Sequence, residues 1–235
     1  MIKYQFSDSH VSARVKPELM NLLLEVQVEK PDYLIGAGDV FEAARWGWKE
    51  LVKMDGFLEL SAQLSLVATK TNTTVILIEG NHDFDLYKHS QYFSNCIIKR
   101  KNFVTGNDYH THGWQEFDYS FGWIEKNLYG WLFPFFPKWQ YLYDKYAARV
   151  MQNPGIENLR GSETYWRFIN TVHAKAMDFA IQSKKRVFFG HTHEPEIRSF
   201  PNEKSGWITA NSGDFLDSNT ALIIKDDEII QWRAR

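Results

Sequence analysis

Short apolar runs recur along this chain, and several break off abruptly into Asp, Asn or His. "IKYQF" leads into "SDSH", "DYLIGA" into "GD", "TVILI" into "EGNHD", and "RVFF" into "GHTH". Apolar runs of this length bounded by turn residues read as strands. The stretches between the first three are long enough for helices, which is the pattern of an α/β protein. In open α/β sheets, ligands sit outside the carboxyl ends of the strands. Such a fold gathers Asp8 and His10, Asp39, Asn81, His82 and Asp83, and His191 and His193 toward one cleft. In "GHTH" the two imidazoles are one residue apart, and an extended backbone would turn both to the same side.

The intervening segments carry helical signals. "KPELMNLLLEVQVEK" places Pro17 and Glu18 in a first helical turn, spaces Leu and Val helically, and meets Pro31 beyond its end. Residues 56–70 and 163–183 read as further helices, and "WITAN" and "ALIIKDDEII" as further strands. His173 lies in line with Trp166, Ile169, Ala176 and Ala180, so it is expected to face the core.

The chain's 235 residues suffice for one domain with a large core. A net charge of -2 gives no global basic field, which counts against nucleic acid as a partner. The basic runs at Lys99, Arg100, Lys101 and at Lys184, Lys185, Arg186 are expected to be solvated surface. Cys96, the one cysteine, excludes an intramolecular disulfide, and the opening "MIKYQFSDSH" reaches Asp8 before a secretory apolar region can form. The expected home is a reducing cytoplasm. No run of 18 or more apolar residues is present.

One stretch is unusual. Residues 117–146 hold 13 of the 37 aromatic residues. We expect residues 117–165 to be a helical, lid-like insertion within a single domain spanning 1–235.

Adding His112 from "HTHGW" yields a donor set of two carboxylates, one amide and four imidazoles. It holds no thiolate and is too large for one structural zinc. Mixed nitrogen and oxygen donors suit manganese, iron or zinc, and two such ions form a clamp for in-line displacement at phosphorus. His110 would share a face with His112 in an extended segment. His89, in "DLYKHSQYF", and Arg14 read as surface residues.

The ordered blocks DxH, GD, GNH(D/E), H and GHxH resemble the calcineurin-like metallophosphoesterases, and they run from residue 8 to 193. The resemblance implies a four-layer α/β/β/α sandwich over residues 1 to about 116 and 166 to 235. It implies two divalent ions, manganese first, with iron, zinc or magnesium as alternatives. Asp8, His10, Asp39 and His193 would hold one ion, and Asp39, Asn81, His112 and His191 the other, with Asp39 bridging. His112 is preferred to His110 because the family's ligand is commonly followed by Gly, here Gly113. His82 would act on the phosphoryl or leaving oxygen, with Asp83 orienting its ring.

Within the superfamily, "GDVFEAARWGW" and the placing of the aromatic insertion resemble the UDP-2,3-diacylglucosamine pyrophosphatases. That likeness implies a lipid-nucleotide substrate and peripheral contact with the inner membrane face through residues 123–149. Two positions depart from that group: His82 stands where it has Arg, and Trp114 where it commonly has Asp. A small-molecule phosphodiesterase or phosphomonoesterase is therefore the alternative enzyme. A non-catalytic metal-binding scaffold is the alternative of a different class. "ITANSGDF" resembles the group's closing segment, in which Asn211, Ser212 and Asp214 would lie near the site or make a turn.

Overall fold

The structure is a computed structural model that describes residues 1–117, 163–199 and 208–234. It contains two mixed sheets. The first has the order β11-β10-β1-β2-β3-β4, built from β1 (Ile2–Phe6), β2 (Tyr33–Ala37), β3 (Thr74–Ile78), β4 (Ile97–Lys99), β10 (Thr220–Lys225) and β11 (Glu228–Arg233). The second has the order β5-β6-β7-β9-β8, built from β5 (Asn102–Thr105), β6 (Asp108–Thr111), β7 (Arg186–Phe189), β8 (Glu196–Ser199) and β9 (Ile208–Asn211). Strands β1 to β4 run parallel, as do β6, β7 and β9. Carboxyl ends therefore collect at one edge of each sheet.

Strand alternation sorts the core into layers. Tyr4 and Phe6 of β1 pack with Leu19, Leu22, Leu23 and Val26 of α1 (Pro17–Glu29) and with Phe57, Leu60, Leu64 and Val67 of α4 (Asp55–Lys70). On the far side, Val172, Ala176 and Ala180 of α5 (Glu163–Ser183) pack on Tyr109, Val187 and Phe189. Smaller apolar clusters, Ile35, Ala37, Ile76 and Ile78 in one and Phe188, Ala210, Leu222 and Ile224 in the other, fill the space between the sheets. The result is the four-layer α/β/β/α sandwich. Each fully buried Leu, Ile, Val or Phe contributes about 1.5–3 kcal/mol to holding these layers together.

The space between the sheets also holds polar residues, and they are paired. Gln5 Oε1 lies 2.7 Å from His110 Nδ1. Lys3 donates to Asp108, and Arg186 forks onto the same carboxylate at 2.6 and 2.8 Å. Arg186 is thus an ion-pair partner with a side chain only 16% exposed, which corrects its reading as a solvated charge. His173 is fully buried, as its place on the helix implied. His89 stacks on Trp48 at 4.3 Å.

The helices expected at 17–29, 56–70 and 163–183 are present. α1 opens on Pro17 and closes on Lys30, whose left-handed backbone (φ 49°) lets its amide reach Val26 O before Pro31. The run "ALIIKDDEII" divides at Asp226-Asp227 into two antiparallel strands. The short helices α2 (Ala43–Trp46) and α3 (Trp48–Leu51) follow β2. Most of the aromatic stretch, residues 118–162, lies outside the described residues. Phe117 at its start is buried against Phe179 and Phe189. Among the described residues, no helix is long and apolar enough to cross a membrane.

Candidate metal centre

The site forms where the parallel strands end. Past β1 and β2 the two chains stay paired: the amides of Asp8, His10 and Val11 donate to the carbonyls of Gly38, Asp39 and Val40 at 3.1, 2.9 and 2.9 Å. This registers the DxH and GD loops against each other. The third loop is tied to the second by the His82 amide, which donates to Asp39 Oδ1 at 2.7 Å. The His191 amide donates to Asp8 Oδ2 at 2.9 Å, bringing in the loop after β7 from the other sheet.

Five of the seven candidate ligands adopt left-handed backbone: Asp8, His10, Asp39, His191 and His193, with φ of 51°, 45°, 50°, 70° and 58°. Non-glycine residues pay for that conformation and persist in it only where the surroundings enforce it. This corrects the extended reading of "GHTH". Its two imidazoles part company: His193 packs 5.3 Å from the His10 ring, and His191 5.1 Å from the His112 ring. The tight loops need glycine where a Cβ has no room. At Gly190 a Cβ would lie 2.3 Å from Ser7 Oγ and 2.4 Å from Asp8 Oδ2.

The donor atoms converge. His193 Nε2 lies 3.3 Å from Asp8 Oδ1, and His112 Nε2 lies 3.3 Å from Asp39 Oδ2 and 3.1 Å from Asn81 Oδ1. His10 Nε2 is 4.0 Å from Asp39 Oδ2. Three overlapping groups each keep their donor atoms within 4.8 Å: Asp8, His10 and His193; His10, Asp39 and His82; Asp8, Asp39 and His112. Asp8 Oδ1 and His10 Nε2 are buried and make no hydrogen bond. Buried polar atoms are rarely left in that state. Two lone-pair donors orphaned within one polar cluster are what a cation needs, so the residues fit a divalent metal.

Electrostatics follow the same design. Burial opposes the Asp39 charge, but His112, His82 and His10 outweigh it and hold the carboxyl well below the usual range. Burial also works against a charge on His112, yet Asp39 and Asp8 push that ring up to about 9. This acidic pocket attracts cations, and a bound divalent ion would displace those protons.

His82 lies beside the cluster, 31% exposed in its side chain and 4.6 Å from the His10 ring. The carboxylate on its Nδ1 is Glu42, at 2.7 Å, whose other oxygen meets His10 Nδ1 at 2.8 Å. The expectation that Asp83 orients His82 is corrected here. Asp83 is fully buried, and its two oxygens accept the amides of Gly80 at 2.6 Å and of Val40 and Phe41 at 2.8 and 3.3 Å. It fastens two ligand loops together. Burial and the nearby Asp39 raise it to about 7.

Glu42 was not among the residues singled out from the sequence. Its signal is positional: the acid three residues after Asp39 in "GDVFE". Asp214 is placed by the structure against His193, with Oδ2 3.1 Å from Nδ1. His110 sits between the sheets, stacked on Phe188 at 5.1 Å, apart from the three donor groups. On α5, Phe168 meets the His191 ring at 6.2 Å, and Tyr165 donates to Glu194 at 3.1 Å.

A family model described as calcineurin-like phosphoesterase matches residues 4–195. No curated protein matches the chain. Among solved structures, an archaeal phosphodiesterase is similar at 14% identity and a TM-score of 0.50, with 99% of each chain covered. A dimetal phosphatase from Danio rerio is similar at 10% identity, covering 98% of this chain and 95% of that one, with a TM-score of 0.49. Yfce, a phosphoesterase from E. coli, is similar at 15% identity over 100% of each chain, with a TM-score of 0.48.

Proposed function

The chain belongs to the calcineurin-like phosphoesterase family and is a metal-dependent phosphohydrolase, and from that premise we propose that it holds two divalent ions and hydrolyses a phosphoester with a poor leaving group. The observation that supports this is the convergence of donor atoms from Asp8, His10, Asp39, His112 and His193 at the strand ends, with Asn81 on His112 and with Asp8 Oδ1 and His10 Nε2 orphaned. Asp8, His10, Asp39 and His193 would hold one ion; Asp39, Asn81, His112 and His191 the other. Such a pair, manganese being our choice, supplies hydroxide at near-neutral pH and positive charge for the phosphoryl oxygens.

The protein's own residues do the rest. Glu42 fixes the His82 ring through Nδ1, and the ring would give a proton to the departing oxygen. A positioned proton donor matters most when the leaving group is an alkoxide, and this favours an ordinary phosphodiester or phosphomonoester. Asp83 and the Asp39 to His82 hydrogen bond keep the donor at a set distance from the ligand loops.

The aromatic stretch at 117–146 supports a second substrate, a UDP-2,3-diacylglucosamine-type lipid nucleotide. In that reading the protein is cytoplasmic, and residues 123–149 touch the inner membrane face, with Trp131, Phe135 and Trp139 among acyl chains. The test is manganese-dependent hydrolysis of bis-p-nitrophenyl phosphate, p-nitrophenyl phosphate and UDP-2,3-diacylglucosamine by wild type and Asp39→Asn. Turnover of the small esters alone supports the first reading. Turnover of the lipid nucleotide that is lost with Asp39→Asn supports the second. Activity unchanged by Asp39→Asn or by a chelator refutes the metal mechanism.

A further inference from the structure

The turn that follows β9 lies beyond the stretch matched by the family model, which ends at residue 195. It nonetheless grips ligand loops from both sheets. Asn211 Nδ2 donates to Gly190 O at 2.6 Å and Thr192 Oγ1 at 2.9 Å, on the GHTH loop. Ser212 Oγ lies 2.7 Å from Ser7 Oγ, and the Phe215 amide donates to Asp8 O at 3.3 Å, on the DxH loop. Asp214, fully buried, divides its two oxygens between two tasks. Oδ1 accepts the amides of Leu216, Asp217 and Ser218 at 3.2, 2.8 and 2.8 Å, while Oδ2 faces His193 Nδ1 at 3.1 Å.

We infer that Asp214 is a positioning residue of the metal centre, selecting the His193 tautomer that presents a bare Nε2 toward Asp8. This rests on the reading of His193 as a ligand. An ionised carboxylate only accepts, so the imidazole proton is drawn to Nδ1 and the lone pair is left on Nε2, 3.3 Å from Asp8 Oδ1. Three amides anchor Oδ1, so the carboxylate cannot swing away. Carboxylates behind metal-binding histidines fix ring orientation in this manner, and their loss typically weakens metal binding 10–100-fold.

Asp214→Asn separates this role from simple support of the turn. With its carbonyl kept on the three amides, its NH2 faces Nδ1 and drives the proton to Nε2, the tautomer that cannot bind a cation. With the amide flipped, the NH2 meets three backbone donors. Calorimetric titration of chelator-treated protein with Mn²⁺ should show one of two sites weakened about 10–100-fold. The same substitution in a His193→Ala background should add no further loss. Imidazole ¹⁵N spectra of the metal-free protein, at a pH where the ring is neutral, should show Nδ1–H in wild type and Nε2–H in Asp214→Asn.

Unchanged affinity and tautomer in Asp214→Asn overturn the inference alone. So does a loss of equal size in the His193→Ala background, or a lowered thermal midpoint with intact metal binding. A wild type that binds no Mn²⁺ overturns the metal reading and this inference with it.

Discussion

Glu42 joins the Nδ1 atoms of two histidines, His10 and His82, through its separate oxygens. Burial opposes its charge, but the two imidazoles hold the carboxyl down to about 2, so it is an anion at any working pH. Glu42→Gln can offer a carbonyl to only one of them. We expect kcat for an alkyl phosphodiester, whose alkoxide must be protonated as it departs, to fall about 10–100-fold with KM little changed, and His82→Ala to cost about 10²–10⁴-fold. Steady-state kinetics on manganese-loaded protein check both, and unaltered kcat in Glu42→Gln would sink the positioning role. The nine residues singled out from sequence stand on recurring short motifs. Glu42 escaped because what marks it is a partner distant in the chain, His82 lying forty residues away, and Asp214 was left between a place near the site and a turn because its partner His193 lies across the β7 to β9 connection. Asp83 shows the converse hazard, since the family resemblance gave it to the His82 ring whereas its oxygens accept the backbone amides of Gly80, Val40 and Phe41.

His173 carries a pH prediction at the same scale. Burial lowers it to about 4, while an unfolded histidine titrates near ~6.5. Between those values the unfolded chain binds more protons, so the stability present above ~6.5 is lost as pH falls, at up to about 1.4 kcal/mol per pH unit. The rings and charges facing it are Phe189, Glu196 and Arg198. Urea unfolding of chelator-treated protein should show this slope. His173→Met should reduce it, leaving the part that buried His110, lowered to about 3, contributes over the same range, and an unchanged slope in that variant would refute the assignment.

At the scale of elements, the ligand loops owe their shape to the strands behind them and to glycines where loops touch. Gly190→Ala pushes a methyl into Ser7 and Asp8. We expect a loss of about 1–3 kcal/mol in stability together with reduced metal content by elemental analysis. Normal content would mean that the loops yield more readily than their contacts imply. Between the sheets, Asp108 serves both Lys3 and Arg186. Asp108→Ala strands two cations, one of them on a nearly buried lysine, and should cost about 3–5 kcal/mol in denaturant unfolding. A loss below 1 kcal/mol would show that water reaches the gap. The long helices and the apolar strands could be read directly from periodicity. Strands β4, β5, β6 and β8 could not, since they are three or four residues long and, apart from β6, lack a run of buried positions. β6 is buried throughout yet reads "DYHT", because Asp108 pairs with Arg186 on the next strand, Thr111 with Lys101 O and Glu116, and His110 with Gln5 of the facing sheet.

For the whole molecule, two sheets placed face to face make the centre a junction: Asp8, Asp39, Asn81 and His82 follow strands of one sheet, His112, His191 and His193 strands of the other. Neither half holds a complete donor set, so metal binding should stabilise the packing of the sheets as well as enable chemistry. The four layers were foreseen because five short motifs in order resemble a known family and carry its fold with them. The substrate was not, because the strand-end motifs name metal donors and a proton donor common to many phosphoesters. The most direct measurement of the central claim takes one sample of purified protein, quantifies bound metal per chain, and follows bis-p-nitrophenyl phosphate hydrolysis before chelation, after it, and after Mn²⁺ is restored. The account expects two divalent ions per chain, activity lost with them and regained on their return, and neither in Asp39→Asn. Hydrolysis that survives complete removal of metal would contradict it.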